Sequence, residues 1–209
     1  MNLTRQLVVY FLTIVVLTGC SFYEETVTSA ENLLTIAWDY FEQGNYQAAY
    51  NKFDAALDMN STNMSAYHGR AWSALLLSDS QKALSDFNST IYYGNSGLDP
   101  IAGLAFAYHA NQNYSAAITK AISVLTANSY YYFEYKPLIN YRDLQLILAM
   151  SYFHLGNLGS AYHYILLLDP EISVDQNDSD TWHFNDCSYH SYAETLLAVI
   201  DYLDVLYGM

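Results

Sequence analysis

The chain has 209 residues, of which 53% are hydrophobic and 13% are charged, so it can form one domain with a large core and is not a disordered chain. Its 7 basic and 21 acidic residues give a formal net charge of −14, which argues against binding to nucleic acid or to anionic lipid headgroups. A neutral or basic partner suits this surface better.

The first residues of the chain have the pattern of an export signal. One charged residue, Arg5, precedes an uncharged apolar run from Leu7 to Leu17. This run is too short to cross a bilayer of about 30 Å as a helix. We therefore predict a secretory signal peptide at the N-terminus.

The apolar run ends in Leu17-Thr18-Gly19-Cys20, which resembles the lipobox of prokaryotic lipoproteins at all four positions. The resemblance implies a signal peptide over 1–19, removed before Cys20, and acylation of the Cys20 sulfur. Residues 20–29 would then be a short tether, and the protein would be exported and lipid-anchored to the outer membrane or cell surface. A plain signal peptide with an incidental cysteine and an uncleaved anchor are the alternatives.

Side chains of similar type recur every 34 residues after this segment, which indicates internal repeats. Six sets of positions keep the interval. They are Ala37, Ala71 and Ala105; Trp38, Trp72 and Phe106; Ala49, Ala83 and Ala117; Phe53 and Phe87; Leu57, Ile91 and Leu125; and Asn45, Asp79 and Asn113.

Each repeat has the pattern of two helices joined by a short turn. In the first repeat, Gly44-Asn45 interrupts the helical pattern, because glycine accepts the positive φ that ends a helix. The second helix places Ala49, Phe53 and Leu57 on one face. The small residues allow close approach of paired helices, and the large residues fill the space between repeats.

This pattern resembles the tetratricopeptide repeat (TPR), a helix–turn–helix of 34 residues. Counted from Ala30, Ala37 matches the small eighth position and Gly44-Asn45-Tyr46 matches the turn, whereas the tryptophan expected at the fourth position is absent. The resemblance implies an all-α fold, a right-handed solenoid of helical hairpins that binds other proteins. The expected segments are repeats 30–63, 64–97, 98–131 and 142–170, an insertion near 128–137, an acidic loop over 171–187 and a C-terminal capping helix over 188–209, with Asp186 as its N-cap.

The insertion contains the aromatic sequence YYYFEY (130–135). It is either a loop or an extension of the preceding helix. Its aromatic side chains either form an exposed patch or fill the space between repeats three and four, and we favour filling.

In TPR proteins the first helix of each repeat lines an inner groove. The corresponding positions here carry aromatic and acidic side chains but no lysine or arginine, so the basic clamp by which some relatives hold a partner's C-terminal carboxylate is absent. We expect an apolar or aromatic partner segment, although the same side chains could instead belong to the core. The candidate groove residues are Trp38, Phe41, His68, Trp72, Phe106, His109, Met150 and His154.

Other chemistry has weaker support in the sequence. His183, Asp186, Cys187 and His190 have a spacing that one helical turn could gather around a metal, but a polar entry to the last helix is the simpler interpretation. No nucleophile, phosphate-loop or metalloprotease motif occurs, so we expect no enzyme and no cofactor.

The predicted function is therefore a membrane-anchored scaffold or adaptor for an envelope or secreted protein. A surface binder of peptides or glycans and a metal-responsive sensor are the alternatives.

Overall fold

The computed structural model describes residues 29–208, and the predicted signal peptide, lipobox and most of the tether lie outside this range. Within residues 29–208 the chain forms nine α-helices, arranged as four helical hairpins followed by one helix. The helices are α1 Ala30–Glu42, α2 Tyr46–Met59, α3 Met64–Leu76, α4 Ser80–Tyr92, α5 Leu98–Ala110, α6 Tyr114–Ala127, α7 Tyr141–His154, α8 Leu158–Leu168 and α9 Tyr192–Tyr207.

The turn inside each hairpin is built in the same way. An Asn or Asp side chain caps the second helix by accepting a hydrogen bond from the backbone N–H three residues later. The residue before the cap has a positive φ, which ends the first helix. These pairs are Gly44 and Asn45, Ser78 and Asp79, Gln112 and Asn113, and Gly156 and Asn157.

Successive hairpins interlock through a large and a small residue. A Cβ atom added at Gly69 would lie 2.1 Å from the ring of Phe53, and one added at Gly103 would lie 2.0 Å from the ring of Phe87. Each phenylalanine therefore packs directly on the backbone of the next repeat, where only glycine leaves room. At the equivalent positions between repeats three and four the sizes are reversed, with Ala121 and Ile147 both buried.

A buried arginine also joins neighbouring hairpins. Arg70 of α3 donates to both carboxylate oxygens of Asp86 on α4, at 2.7 and 2.9 Å, and to Asp54 on α2. Asp86 is almost fully buried and also pairs with Lys82 at 3.0 Å. A buried charge is tolerated only with such partners, so this cluster links three helices.

The insertion is a loop over 128–140 and not an extension of α6, which ends at Ala127. The loop doubles back on itself: Phe133 donates its N–H to the Ile139 carbonyl at 2.9 Å, and Tyr141 donates to the Tyr131 carbonyl at 2.7 Å.

Two expectations for the C-terminal region are wrong in detail. The last helix begins at Tyr192 with Ser191 as its N-cap, because Asp186 has a φ of 62° in a tight turn. The region between α8 and α9, expected to be an acidic loop, also contains regular secondary structure. It contains a short 3₁₀ helix, Ser179–Thr181, and two antiparallel strands, β1 His183–Phe184 and β2 Cys187–Ser188. No helix within residues 29–208 is long and apolar enough to cross a bilayer.

Candidate functional site

The first helices of the four hairpins lie side by side and form one surface, which we call the trough. Helix α1 contacts α3, α3 contacts α5, and α5 contacts α7. The predicted groove residues all lie on these four helices, because they were chosen from equivalent positions of the repeat. The trough has two halves with different surroundings.

In the half formed by α1 and α3, the loop over 128–140 covers the predicted groove residues. The Phe133 ring is fully buried and stacks on Trp72, with ring centroids 4.4 Å apart. Its ring also meets Phe41 and His68 edge to face, at centroid distances of 5.9 Å for each pair. Phe41, His68 and Trp72 are therefore buried, and a partner cannot contact them while the loop is in place.

Trp38 lies at the edge of this half and is partly exposed. The ring of Tyr135 covers it in a parallel stack, with centroids 3.7 Å apart and an interplanar angle of 11°. The aromatic loop thus fills the trough of repeats one and two, and not the space between repeats three and four. The prediction that these rings fill the space between repeats three and four is wrong, because the loop folds back over earlier repeats.

His68 is the buried polar residue of this half. Trp72 donates its indole N–H to Nε2 of His68 at 3.0 Å. Burial lowers the pKa of His68 from 6.5 to about 4. The imidazole is therefore neutral near pH 7 and serves as the acceptor that the indole requires.

In the other half, formed by α5 and α7, a cavity of about 440 Å³ opens between the helices. Its wall includes the end of the turn after α3 and the C-terminal end of α9. The lining residues are Leu75, Ser78, Ser80, Phe106, His109, Ala110, Asp143, Leu146, Ile147, Met150, Asp204 and Gly208.

The sequence-predicted residues in this open half are Phe106, His109, Met150 and His154. Phe106 is buried with one face on the cavity, Met150 and His109 are partly exposed, and His154 lies at the rim without lining the cavity. His154 stacks on Tyr114, with centroids 4.5 Å apart. His109, Met150 and His154 therefore remain in reach of a partner, whereas Phe106 offers only the face that lines the cavity.

Among the described residues, two carboxylates line the cavity, and no lysine or arginine does. Asp143 is 3% exposed and accepts the Asn140 backbone N–H at 2.7 Å as part of a capping box. Burial raises the pKa of Asp143 from 3.8 to about 6. The repeat pattern does not predict the second carboxylate, Asp204, because this residue belongs to α9, which lies outside the repeats.

A serine and a histidine contact each other beside the cavity. Nδ1 of His109 lies 2.9 Å from Oγ of Ser151. Burial, with a smaller effect of His154, lowers the pKa of His109 to about 4. Ser151 is completely buried, so its hydroxyl cannot reach a substrate, and the pair provides structural support for the cavity wall.

The proposed metal ligands do not form a site. In the part of the chain that the structure describes, no group of three or more His, Cys, Asp or Glu side chains converges as metal ligands would. His183 and Cys187 lie on the small hairpin between α8 and α9, and His190 is next to Glu194. The arrangement of His183, Asp186, Cys187 and His190 in the described residues therefore gives no support to the alternative of a metal sensor.

The fold is similar to solved structures of TPR proteins. TTC0263, a thermophilic TPR protein of Thermus thermophilus, is 18% identical, with a TM-score of 0.53 over 86% of this chain and 84% of that protein. A TPR protein from Parabacteroides merdae is 16% identical, with a TM-score of 0.54 over 92% of this chain and 64% of the other. The sequence matches no protein-family model and no curated protein.

Likeness at these identities concerns the fold alone. It confirms the prediction of an all-α, TPR-like solenoid with a C-terminal helix.

Proposed function

We propose that the protein is a lipid-anchored scaffold that holds another protein of the cell envelope in the open half of its trough. The observation that carries the proposal is the cavity of about 440 Å³ between α5, α7 and the end of α9. Its concave lining combines apolar side chains with the polar Ser78, Ser80, His109, Asp143 and Asp204. Recognition sites are usually concave and combine apolar area with placed polar groups.

The lining favours a partner segment that is apolar with a basic flank. Phe106, Met150 and Ile147 offer apolar contacts, whereas Asp143 and Asp204 offer negative charge. The overall charge of −14 would also attract a basic partner at long range.

The anchor is proposed from the lipobox sequence. Acyl chains contribute about 0.8 kcal/mol per buried CH₂ group, so a protein with more than one chain stays on the membrane. Labelled palmitate should enter the wild-type protein and fail to enter the Cys20→Ser variant, which should also leave the membrane fraction. A variant that keeps both the label and the membrane location would contradict the anchor.

The binding site is tested by crosslinking in intact membranes. A photoreactive amino acid in place of His154, at the rim of the cavity, should capture the partner. The same group in place of Tyr92, which is 82% exposed on α4, should not. Equal capture from both positions, or capture from Tyr92 alone, would place the partner elsewhere.

A further inference from the structure

The loop segment 131–136, which we call the plug, lies in the closed half of the trough as a bound peptide would. Buried and exposed side chains alternate from Tyr131 to Glu134, and a turn in which Lys136 donates its N–H to the Phe133 carbonyl at 3.1 Å then brings Tyr135 onto the trough. Tyr131 and Phe133 are buried and Tyr135 stacks on Trp38, whereas Tyr132 is 59% exposed and points away. The inward side chains cross the trough in sequence, from α5 to α3 to α1.

Both ends of the plug are attached by specific polar contacts. Tyr131 donates its hydroxyl to Oδ1 of Asp99 at the start of α5, at 3.0 Å. Lys136 donates to the Tyr46 hydroxyl at the start of α2, at 2.7 Å, and its ammonium also lies over that ring. Asp99 of the trough therefore holds the first ring, and Tyr46, on α2 beside the trough, holds the basic end.

Within residues 29–208, the backbone of the plug makes no such attachment to the trough. Its backbone–backbone hydrogen bonds join residues of 128–141 to one another, as in the pair between Phe133 and Ile139. The trough thus recognises the plug through side chains alone. A segment from another chain with the same side chains could make the same contacts.

We propose that the plug is an internal ligand, and that the closed half of the trough is a second partner site that accepts a segment with rings at alternate positions followed by a basic residue. This inference rests on the proposed function, because it names the chemistry of the partner that the scaffold holds. A partner that enters the open half would extend into the closed half as the plug leaves.

Tethering explains why the site is closed in the free protein. A covalently attached ligand acts at an effective concentration in the millimolar range, so a weak free segment cannot compete with it. The apparent affinity of a partner is reduced by the fraction of molecules in which the plug is in place. Weakening the plug should therefore increase the affinity for a partner segment without any change in the trough itself.

The test uses a labelled peptide with the sequence of residues 128–140, NSYYYFEYKPLIN. It is titrated into the wild-type protein and into a variant whose residues 131–136 are replaced by a Gly-Ser sequence of equal length. We expect binding to the variant to be at least about tenfold tighter than to the wild type. A peptide with alanine in place of Phe133 should not bind. A variant that is folded but does not bind the intact peptide would overturn the proposal.

A second variant covers the case in which the replacement does not fold. The double substitution Tyr135→Ala and Lys136→Ala removes the contacts with Trp38 and Tyr46 but keeps Phe133 in the core. It should bind the peptide more tightly than the wild type, and added peptide should protect Trp38 from acrylamide quenching. Unchanged affinity, or equal quenching with and without peptide, would refute the internal-ligand role.

These measurements separate the inference from the proposed function. Peptide binding needs no native partner and no membrane. If the peptide binds but crosslinking from the His154 position captures nothing, the envelope scaffold is wrong and the plug site stands. If crosslinking succeeds but the peptide binds neither variant, the scaffold stands and the plug is only part of the core.

Discussion

The two halves of the trough are built from equivalent positions of the same repeat, yet only one is open. In the closed half Trp72 is completely buried beneath Phe133. In the open half Met150, the equivalent residue of repeat four, lines the cavity and is partly exposed. The difference comes from the loop over 128–140, which covers one half and leaves the other.

The comparison shows that a repeat position has no fixed role. A large apolar side chain on a first helix contributes to stability where another segment covers it, and to recognition where none does. Substitutions in the closed half should therefore affect mainly stability, and substitutions in the open half mainly binding.

The largest expected effect is that of Phe133→Ala in the closed half. It removes a fully buried ring that stacks on Trp72, and such a change costs about 3–5 kcal/mol of unfolding free energy. Urea denaturation measures it. Tyr132→Ala, the exposed neighbour, should change stability by less than about 0.5 kcal/mol. If Phe133→Ala and Tyr132→Ala both change the free energy of unfolding by a similar small amount, the plug adds nothing to the core.

The response to acid should also differ between the halves. The pKa of His68 is lowered from 6.5 to about 4, so its contribution to stability is complete above pH 6.5 and is lost as the pH falls toward 4. The loss is on the order of 3 kcal/mol. His68→Gln keeps an acceptor for Trp72 and should flatten this loss.

In the open half two groups act in opposite directions. The pKa of His109 is lowered to about 4, so the contribution of His109 to the stability of the protein is also lost in acid. The pKa of Asp143 is raised to about 6. Its protonation therefore stabilises the protein as the pH falls from about 6 toward 3.8, because protonation removes a buried charge. Asp143→Asn should therefore make the acid sensitivity steeper. The free energy of unfolding is measured at pH 7 and at pH 4.5 for the wild type, His68→Gln and Asp143→Asn. The same change in free energy between the two pH values in all three proteins would contradict the assigned roles of His68 and Asp143.

A smaller effect is expected where the plug is attached. Tyr131→Phe removes the hydrogen bond to Asp99 and should cost about 1 kcal/mol. It should also raise the pKa of Asp99, which burial already raises and this hydrogen bond lowers. Carboxyl titration by NMR would show the change. Tyr130→Phe, at a side chain that is 75% exposed, is the matched control and should leave both quantities unchanged.

The smallest effect on stability is expected for Met150→Ala, in the open half. Because Met150 is partly exposed, the cost should be about 1 kcal/mol or less. Capture of the partner in membranes should nevertheless fall, because the side chain lines the cavity. A large loss of stability with unchanged capture would reverse the roles assigned to the two halves.

Much of the repeat architecture could be predicted from the sequence. The 34-residue interval and the turn at Gly44-Asn45 depend on local chemistry: helical periodicity, a glycine that accepts positive φ and an Asn that caps the next helix. Ser78 and Gln112 adopt the same left-handed conformation without glycine. The turn is therefore determined by its capping residue and by the packing of the hairpin as well.

The candidate site could be predicted only in part. Phe106, His109 and Met150, which the repeat positions predict to face the groove, line the cavity because groove positions recur on neighbouring first helices. Asp204 was missed because nothing in the periodicity places α9 against the open half. The burial of Trp72 beneath Phe133 was missed as well, because their contact joins residues far apart in sequence.

The sequence by itself determined that this chain forms stacked helical hairpins, because each hairpin depends on contacts within one repeat and with its neighbour. Only the tertiary structure decided which part of the trough is available. That outcome depends on where a loop lies after the solenoid has formed, and the free energy of placing its rings comes from surfaces on α1 and α3 that exist only in the folded protein.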